Sequence, residues 1–253
     1  MMKFKNYLPA LLLLLAFIVF FSDTNMLLFL KINQIGIVFP DVIWEMLTTF
    51  GNKTFALVLL FLLCWKKTNV LVAAIIASII AGIISSTLKP LFDLARPTDI
   101  LMLSNYHLIG PKISGHSFPS GHTMSAFAIV GSIIYSKRWM TWGLIILAGL
   151  VGLSRIMLGV HWPIDVLIGA MLGLSCGYAA VQISLIPIVK KSRFKWPAVV
   201  VLYFLLAVKL FWKGTAYNDV QGLVTIVSIL GIFLGVFLIS KRVKIYKKQG
   251  GGL

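Results

Sequence analysis

Acidic side chains are nearly missing from this chain. Only 7 of its 253 residues are Asp or Glu, against 23 Lys and Arg, and the charged types together make up 12%. A water-soluble domain needs far more polar surface than that, so a soluble enzyme or binding module is excluded. Cysteine is scarcer still. Cys64 and Cys176 both lie within apolar runs and read as small buried hydrophobes, which points to neither a disulfide nor a metal site. The excess of base gives a net charge of +16. Those residues form short clusters between apolar runs rather than a groove-sized patch, so nucleic acid is not the partner they indicate.

What the chain does have is long apolar stretches. Hydrophobic residues make up 59% of it, and a helix crosses a bilayer with roughly 20 such residues, within about 17–25. Candidate spans lie near 7–22, 53–65, 69–88, 120–136, 140–158, 162–188, 196–212 and 220–240. The start, "MMKFKNYLPALLLLLAFIVFF", has no small-residue cleavage site after it and is expected to stay as an anchor. With the N-terminus inside, every inner turn is basic: Lys3 and Lys5, Lys66 and Lys67, Lys137 and Arg138, then Lys190, Lys191, Arg193 and Lys195. The last inner segment carries Lys241, Arg242, Lys244, Lys247 and Lys248, so 15 of the 23 basic residues lie inside and 8 elsewhere. Eight spans with both termini cytoplasmic satisfy the positive-inside rule throughout. Residues 23–52 read as a helix lying in the interface or as a poorly formed extra span. Residues 89–119, rich in Pro and Gly, read as an outer loop.

The cations outside the inner turns carry the chemistry. Lys89 ends the third run, Arg96 follows it in "KPLFDLARP", and Arg155 ends the fifth. An ionisable residue at a helix centre costs roughly 2.5–3.5 kcal/mol, and less near the interface. The nearby carboxylates are Asp93, Asp99 and Asp165, too few once Asp165 is engaged with His161. Two readings stand: the cations snorkel to head groups, or they hold an external anion, for which phosphate best matches the forked donors of Arg.

Two further clusters face the same outer side. In "FPSGHT", Ser120 and Gly121 open the fourth span, where free backbone N–H groups and the helix dipole suit an anion. A plain N-cap role would also account for Ser120. His122, in the first turn, can donate a proton to a phosphate ester oxygen. In "SRIMLGVHWPID", His161 and Asp165 stand four apart with Pro163 suited to a first helical turn. The carboxylate reaches one ring nitrogen, which fixes the tautomer and leaves the other free and more basic for attack on phosphorus. A capping Asp with an interfacial His-Trp pair is the structural alternative. Together, two histidines and a set of cations on one face meet the needs of phosphoryl transfer.

These residues carry a resemblance. "KPLFDLARP" (89–97), "PSGH" (119–122) and "SRIMLGVHWPID" (154–165) fill every position of KX6RP, PSGH and SRX5HX3D, so the chain, from about 50 to 190, resembles the type 2 phosphatidic acid phosphatase (PAP2) superfamily of integral-membrane lipid phosphatases. The resemblance implies His161 as the nucleophile of a phosphohistidine intermediate, Asp165 as its orienter and His122 as the general acid. It implies Lys89, Arg96, Ser120, Gly121 and Arg155 as the phosphate cradle. The family uses no metal or other cofactor, and this sequence has no carboxylate cluster to hold one.

The fold expected is all-α, a polytopic membrane bundle with a six-helix PAP2-like core and two C-terminal spans. By residues, an anchor and outer segment (1–52) precede the catalytic core (53–190), two added spans (191–248) and a flexible tail "QGGGL" (249–253). His107 and His116 match no motif position and are taken as loop residues.

The function expected is dephosphorylation of a lipid at the outer face of a bacterial inner membrane, with the lipid phosphate and the bilayer as partners. Undecaprenyl pyrophosphate, phosphatidylglycerol phosphate and phosphatidic acid rank ahead of lipid A. Transfer of the phosphate to a second lipid would use the same residues. A transporter is disfavoured, since no internal repeat is evident.

Overall fold

In the computed structural model, which describes residues 4–135, 141–192 and 194–248, all regular structure among the described residues is helical. The helices are α1 (Phe4–Phe21), α2 (Asn25–Gly36), α3 (Asp41–Thr49), α4 (Lys53–Cys64), α5 (Thr68–Phe92) and α6 (Pro97–Ile100). After a loop come α7 (Gly121–Ile134), α8 (Thr141–Met157), α9 (Pro163–Leu185), α10 (Pro187–Lys190), α11 (Lys195–Lys213) and α12 (Gln221–Lys248). Lys3, Lys137, Arg138, Arg193 and the tail 249–253 lie outside the described residues.

Each of the eight predicted spans is helical, but fewer than eight helices meet the length and apolarity of a membrane crossing. Four do, or up to six if each of two bent pairs counts as one span. The bends explain the difference. α1 turns by 109° into α2, and α3 by 72° into α4. The remaining two expected spans are α7, at 14 residues, and α8, at 17, short of the roughly 20 that a perpendicular crossing takes. Residues 23–52 thus hold two short helices. At about 1.5 Å rise per residue neither crosses a ~30 Å hydrocarbon core.

Local sequence sets the helix ends that matter. The Asn52 side chain accepts from the backbone N–H groups of Thr54 and Phe55 and starts α4. Pro163 opens α9 at the first turn, as its fixed φ allows. α5 stops where Asp93 turns left-handed at φ 43°, a conformation that a short polar side chain tolerates.

Packing centres on α7 against α9. Gly169, Gly173 and Gly177 recur every fourth residue and present a bare ridge to α7, the small-residue device of membrane helix pairs. A Cβ at Gly173 would stand 2.5 Å from the Met124 carbonyl oxygen, and one at Gly177 would stand 2.7 Å from Gly131 Cα, so side chains there would force the helices apart. On the other side α11 packs against α4, α5 and α12. Phe61 stacks on Tyr203 with centroids 4.8 Å apart, inside a core that also holds Leu57, Leu71, Val200 and Leu238.

Candidate active site

The three motifs meet at one end of the bundle. Trp162 Nε1 donates to the Ala95 carbonyl at 2.9 Å, Arg96 Nη1 to the Val160 carbonyl at 2.9 Å, and Ser120 N to the Asp165 carbonyl at 3.1 Å. Each bond joins two motifs that are dozens of residues apart in sequence.

Asp165 is wholly buried and one of its oxygens is heavily used. Oδ2 accepts from Trp162 N at 2.9 Å and from the Ser117 hydroxyl, and it lies 3.2 Å from His161 Nδ1. Of the structural alternative the capping Asp is present, but the His-Trp pair is not interfacial, since His161 and Trp162 are 2% and 8% exposed. The carboxylate caps the first turn of α9 and orients the imidazole, because the helix start places His161 just before the cap. Nδ1 is directed at the carboxylate, so Nε2 is the nitrogen left for chemistry, and it faces Arg96 Nη1 at 3.3 Å.

Cations surround that nitrogen. Arg96 Nη2 and Lys89 Nζ donate to the His116 carbonyl at 3.2 and 2.9 Å, so one loop oxygen sets both cations. Arg155 is 2% exposed and donates to Thr48 Oγ1 at 2.6 Å and to the Tyr217 hydroxyl at 3.4 Å. The Nε atoms of Arg96 and Arg155 are buried without a hydrogen-bond partner, an unusual and costly state for a guanidinium. Snorkelling toward head groups does not describe these two arginines, which are 8% and 2% exposed.

The expectation of a more basic histidine is not met. Burial, followed by the charges of Arg155, Arg96 and Lys89, pushes the His161 imidazole well below its ordinary range, and its interaction with the backbone carbonyl of Ser117, which accepts, only partly opposes them. His161 therefore stays neutral, with its lone pair available, at pH values where a free histidine is protonated.

Ser120 occupies the N-cap position of α7, but its side chain does not cap. Its hydroxyl accepts from Thr123 Oγ1 at 2.9 Å instead, and the first N–H groups of α7 stay available to an anion. Gly121 and His122 then line a cavity of about 400 Å³ together with Lys89. Among the described residues, no group of three His, Cys, Asp or Glu side chains could hold a metal ion.

The sequence profile of the PAP2 superfamily matches residues 66–186. An undecaprenyl-diphosphatase of Sulfolobus acidocaldarius is 32% identical over 171 residues, which cover 66% of this chain and 82% of that protein. The chain belongs to the PAP2 superfamily. A lipid A 4'-phosphatase of Bacteroides thetaiotaomicron is 29% identical, over 61% of this chain and 74% of that one. The crystal structure of Aquifex aeolicus LpxE superposes with a TM-score of 0.54 at 29% identity, covering 62% of this chain and 94% of that one. This PAP2 protein is accordingly a multi-pass membrane phosphatase. Its helices α11 and α12 lie beyond the matched region.

Three residues at the site escaped the motif reading. Ser117 sits two residues before the PSGH motif and binds the carboxylate of Asp165. Thr48 and Tyr217 come from α3 and from the turn before α12, far outside the motifs, and hold Arg155. Only their position near motif residues in space reveals them. Ser117 alone had a sequence signal, a polar residue adjacent to a motif. His107 and His116 pair with Asp41 and Asp93 at 2.9 and 2.8 Å, and His116 contributes to the site through its carbonyl oxygen.

Proposed function

We propose that this chain is a metal-independent lipid phosphatase that works through a phosphohistidine on His161. The observation that carries the reading is the imidazole itself, held at Nδ1 by Asp165 and turned at Nε2 toward Arg96. In the proposed reaction Nε2 attacks phosphorus, an N–P bond forms, and the P–O bond to the lipid breaks. His122 gives a proton to the departing oxygen. Water then attacks the phosphohistidine while His122 takes the water's proton. The N–P bond breaks, and inorganic phosphate leaves with His161 restored.

Lys89, Arg96 and Arg155, with Ser120 and Gly121 at the start of α7, would neutralise the equatorial oxygens of the phosphoryl group. The unpartnered Nε atoms of both arginines support that role. The lipids best supported are a polyprenyl diphosphate, phosphatidylglycerol phosphate and phosphatidic acid, then lipid A. The activities named for the relatives favour the first and the last of these.

In our reading the chain crosses a bacterial inner membrane eight times with both termini in the cytoplasm, and α7 and α8 reach across by adjoining the basic inner turns. The site then opens on the periplasmic or outer face. Residues 53–190 form the catalytic core, 1–52 the anchor and outer segment, and 191–248 the two added spans.

Purified protein in detergent with EDTA present should release phosphate from a polyprenyl diphosphate, and His161→Ala should reduce the rate by roughly four orders of magnitude or more. Turnover retained in that variant would defeat the mechanism. Labelled phosphate appearing on a second lipid instead of in water would reassign the chain as a phosphotransferase.

A further inference from the structure

The cavity beside His122 has more positive charge than one transferred phosphoryl group requires. Lys53, Lys209 and Lys213 line it with Lys89 and His122, and its lining contains no carboxylate. None of the first three belongs to a motif. They arrive from two directions, Lys53 from the start of α4 and the other two from the last turns of α11. Lys209 and Lys213 are four residues apart, so they share one face of α11, where like charges repel. Among the described residues no carboxylate pairs with them. The ion pairs among the described residues join His107 to Asp41, His116 to Asp93 and His161 to Asp165, and none reaches a lysine.

A second cavity, of about 420 Å³, continues from the first. It shares Lys53, Thr54, Gly82, Ser86 and Lys209, and is otherwise lined mainly by Leu57, Ile75, Ile79, Ile83, Leu202 and Leu206. Its walls are α4, α5 and α11, and Lys53 Nζ lies beside Gly82, 3.7 Å from where a Cβ would stand. Three zones thus follow in order: the arginine pocket at His161, the lysine cavity at His122, and an apolar furrow.

We infer that the lysine cavity is a second anion subsite, which holds the inner phosphate of a lipid diphosphate while the terminal phosphate lies at His161 and the hydrocarbon chain lies in the furrow. The inference rests on the phosphatase reading above and names its substrate class. A diphosphate ester bears its two phosphates and its chain in that same order. On attack at the terminal phosphorus, the N–P bond forms and the bridging P–O bond breaks. The electron pair goes to the bridging oxygen, which takes its proton from His122, and the three lysines hold the anionic inner phosphate. The added helix α11 is in this way part of the site, and supplies a preference for diphosphates over monophosphates.

The test compares farnesyl diphosphate with farnesyl monophosphate on the full-length protein. In Lys209→Gln/Lys213→Gln the ratio of kcat/KM on the diphosphate to that on the monophosphate should fall about 10- to 100-fold, as for the loss of charge-assisted hydrogen bonds. The change should be mainly in KM, and Lys209→Arg/Lys213→Arg should restore the ratio. Inorganic diphosphate should inhibit the wild type more strongly than inorganic phosphate, and this margin should shrink in the Gln variant. An unchanged ratio, or equal losses on both substrates, would overturn the subsite. A wild type inactive on both substrates would instead defeat the phosphatase reading, while calorimetric binding of inorganic diphosphate against inorganic phosphate, to wild type and the Gln variant, would still report on the subsite.

Discussion

The arginine pocket and the lysine cavity share a wall at Lys89 and differ in how their charges are held. In the pocket, Arg96, Arg155, His161 and Asp165 are all less than 9% exposed and are tied by hydrogen bonds to three motifs and to α3. In the cavity, Lys53, Lys209 and Lys213 are exposed and have no carboxylate partner among the described residues. Fixed donors stabilise a charge that develops at one point, and they need no reorganisation during the reaction. Long flexible ammonium groups suit recognition of an anion whose position varies. In the proposed reaction the difference separates catalysis from selection of substrate. It also accounts for the cations that the topology left over, since six of the eight basic residues outside the inner turns gather in these two places.

The comparison can be tested from the pocket outward. Asp165→Asn keeps the shape of the cap but removes the charge that fixes the His161 tautomer, and should lower kcat by roughly 10²–10⁴-fold, as for an equivalent change in other histidine-carboxylate pairs. Phosphate-release assays measure it, and a loss below about threefold would mean that Asp165 serves the helix alone. Thr48→Val removes the 2.6 Å bond to buried Arg155 and should cost about tenfold in kcat/KM, near the low end for a hydrogen bond to a charged group. Thr48→Ser should recover most of that loss.

The pH profile comes next in size. If His161 is the nucleophile as proposed, kcat/KM follows its neutral form in the free enzyme. Because burial and three cations depress its pKa, that form persists as pH falls, and the acid limb should lie below about 6.5, the ordinary histidine value. Arg96→Gln removes one of those cations and should move the limb upward. For stability the sign runs the same way: the folded state binds fewer protons than the unfolded chain, so stability is lost as pH drops through the ordinary histidine range. The smallest effect belongs to Lys112, an exposed loop residue apart from both regions. Lys112→Gln should change kcat/KM by less than about twofold.

How much of this was legible in the sequence differs between the two regions. The pocket was largely written in motifs, because attack on phosphorus needs fixed residue types at fixed spacings, and His161 with Asp165 is a local pair. The helical class was also legible, since apolar runs of this length leave no other economical way to satisfy the backbone in a bilayer. The bends after α1 and α3 were not, because nothing in "FSDT" or "TFGN" sets an angle of 109° or 72° without the neighbouring helices. The support of Arg155 by Thr48 and Tyr217 was hidden for a different reason. Threonine and tyrosine are common in apolar helices and turns, and only the packing of α3 on α8 gives them a partner. Lys209 and Lys213 had no motif at all, and their meaning depends on α11 packing against α4 and α5.

The central claim is that His161 takes the phosphate before water does. Rapid quenching of wild-type protein with a terminally ³²P-labelled lipid diphosphate tests it most directly. The account predicts protein-bound label that survives base, is lost in acid, maps to the peptide containing His161 and is absent from His161→Ala. Full turnover with no trapped label in the wild type, or label on any other residue, would contradict it.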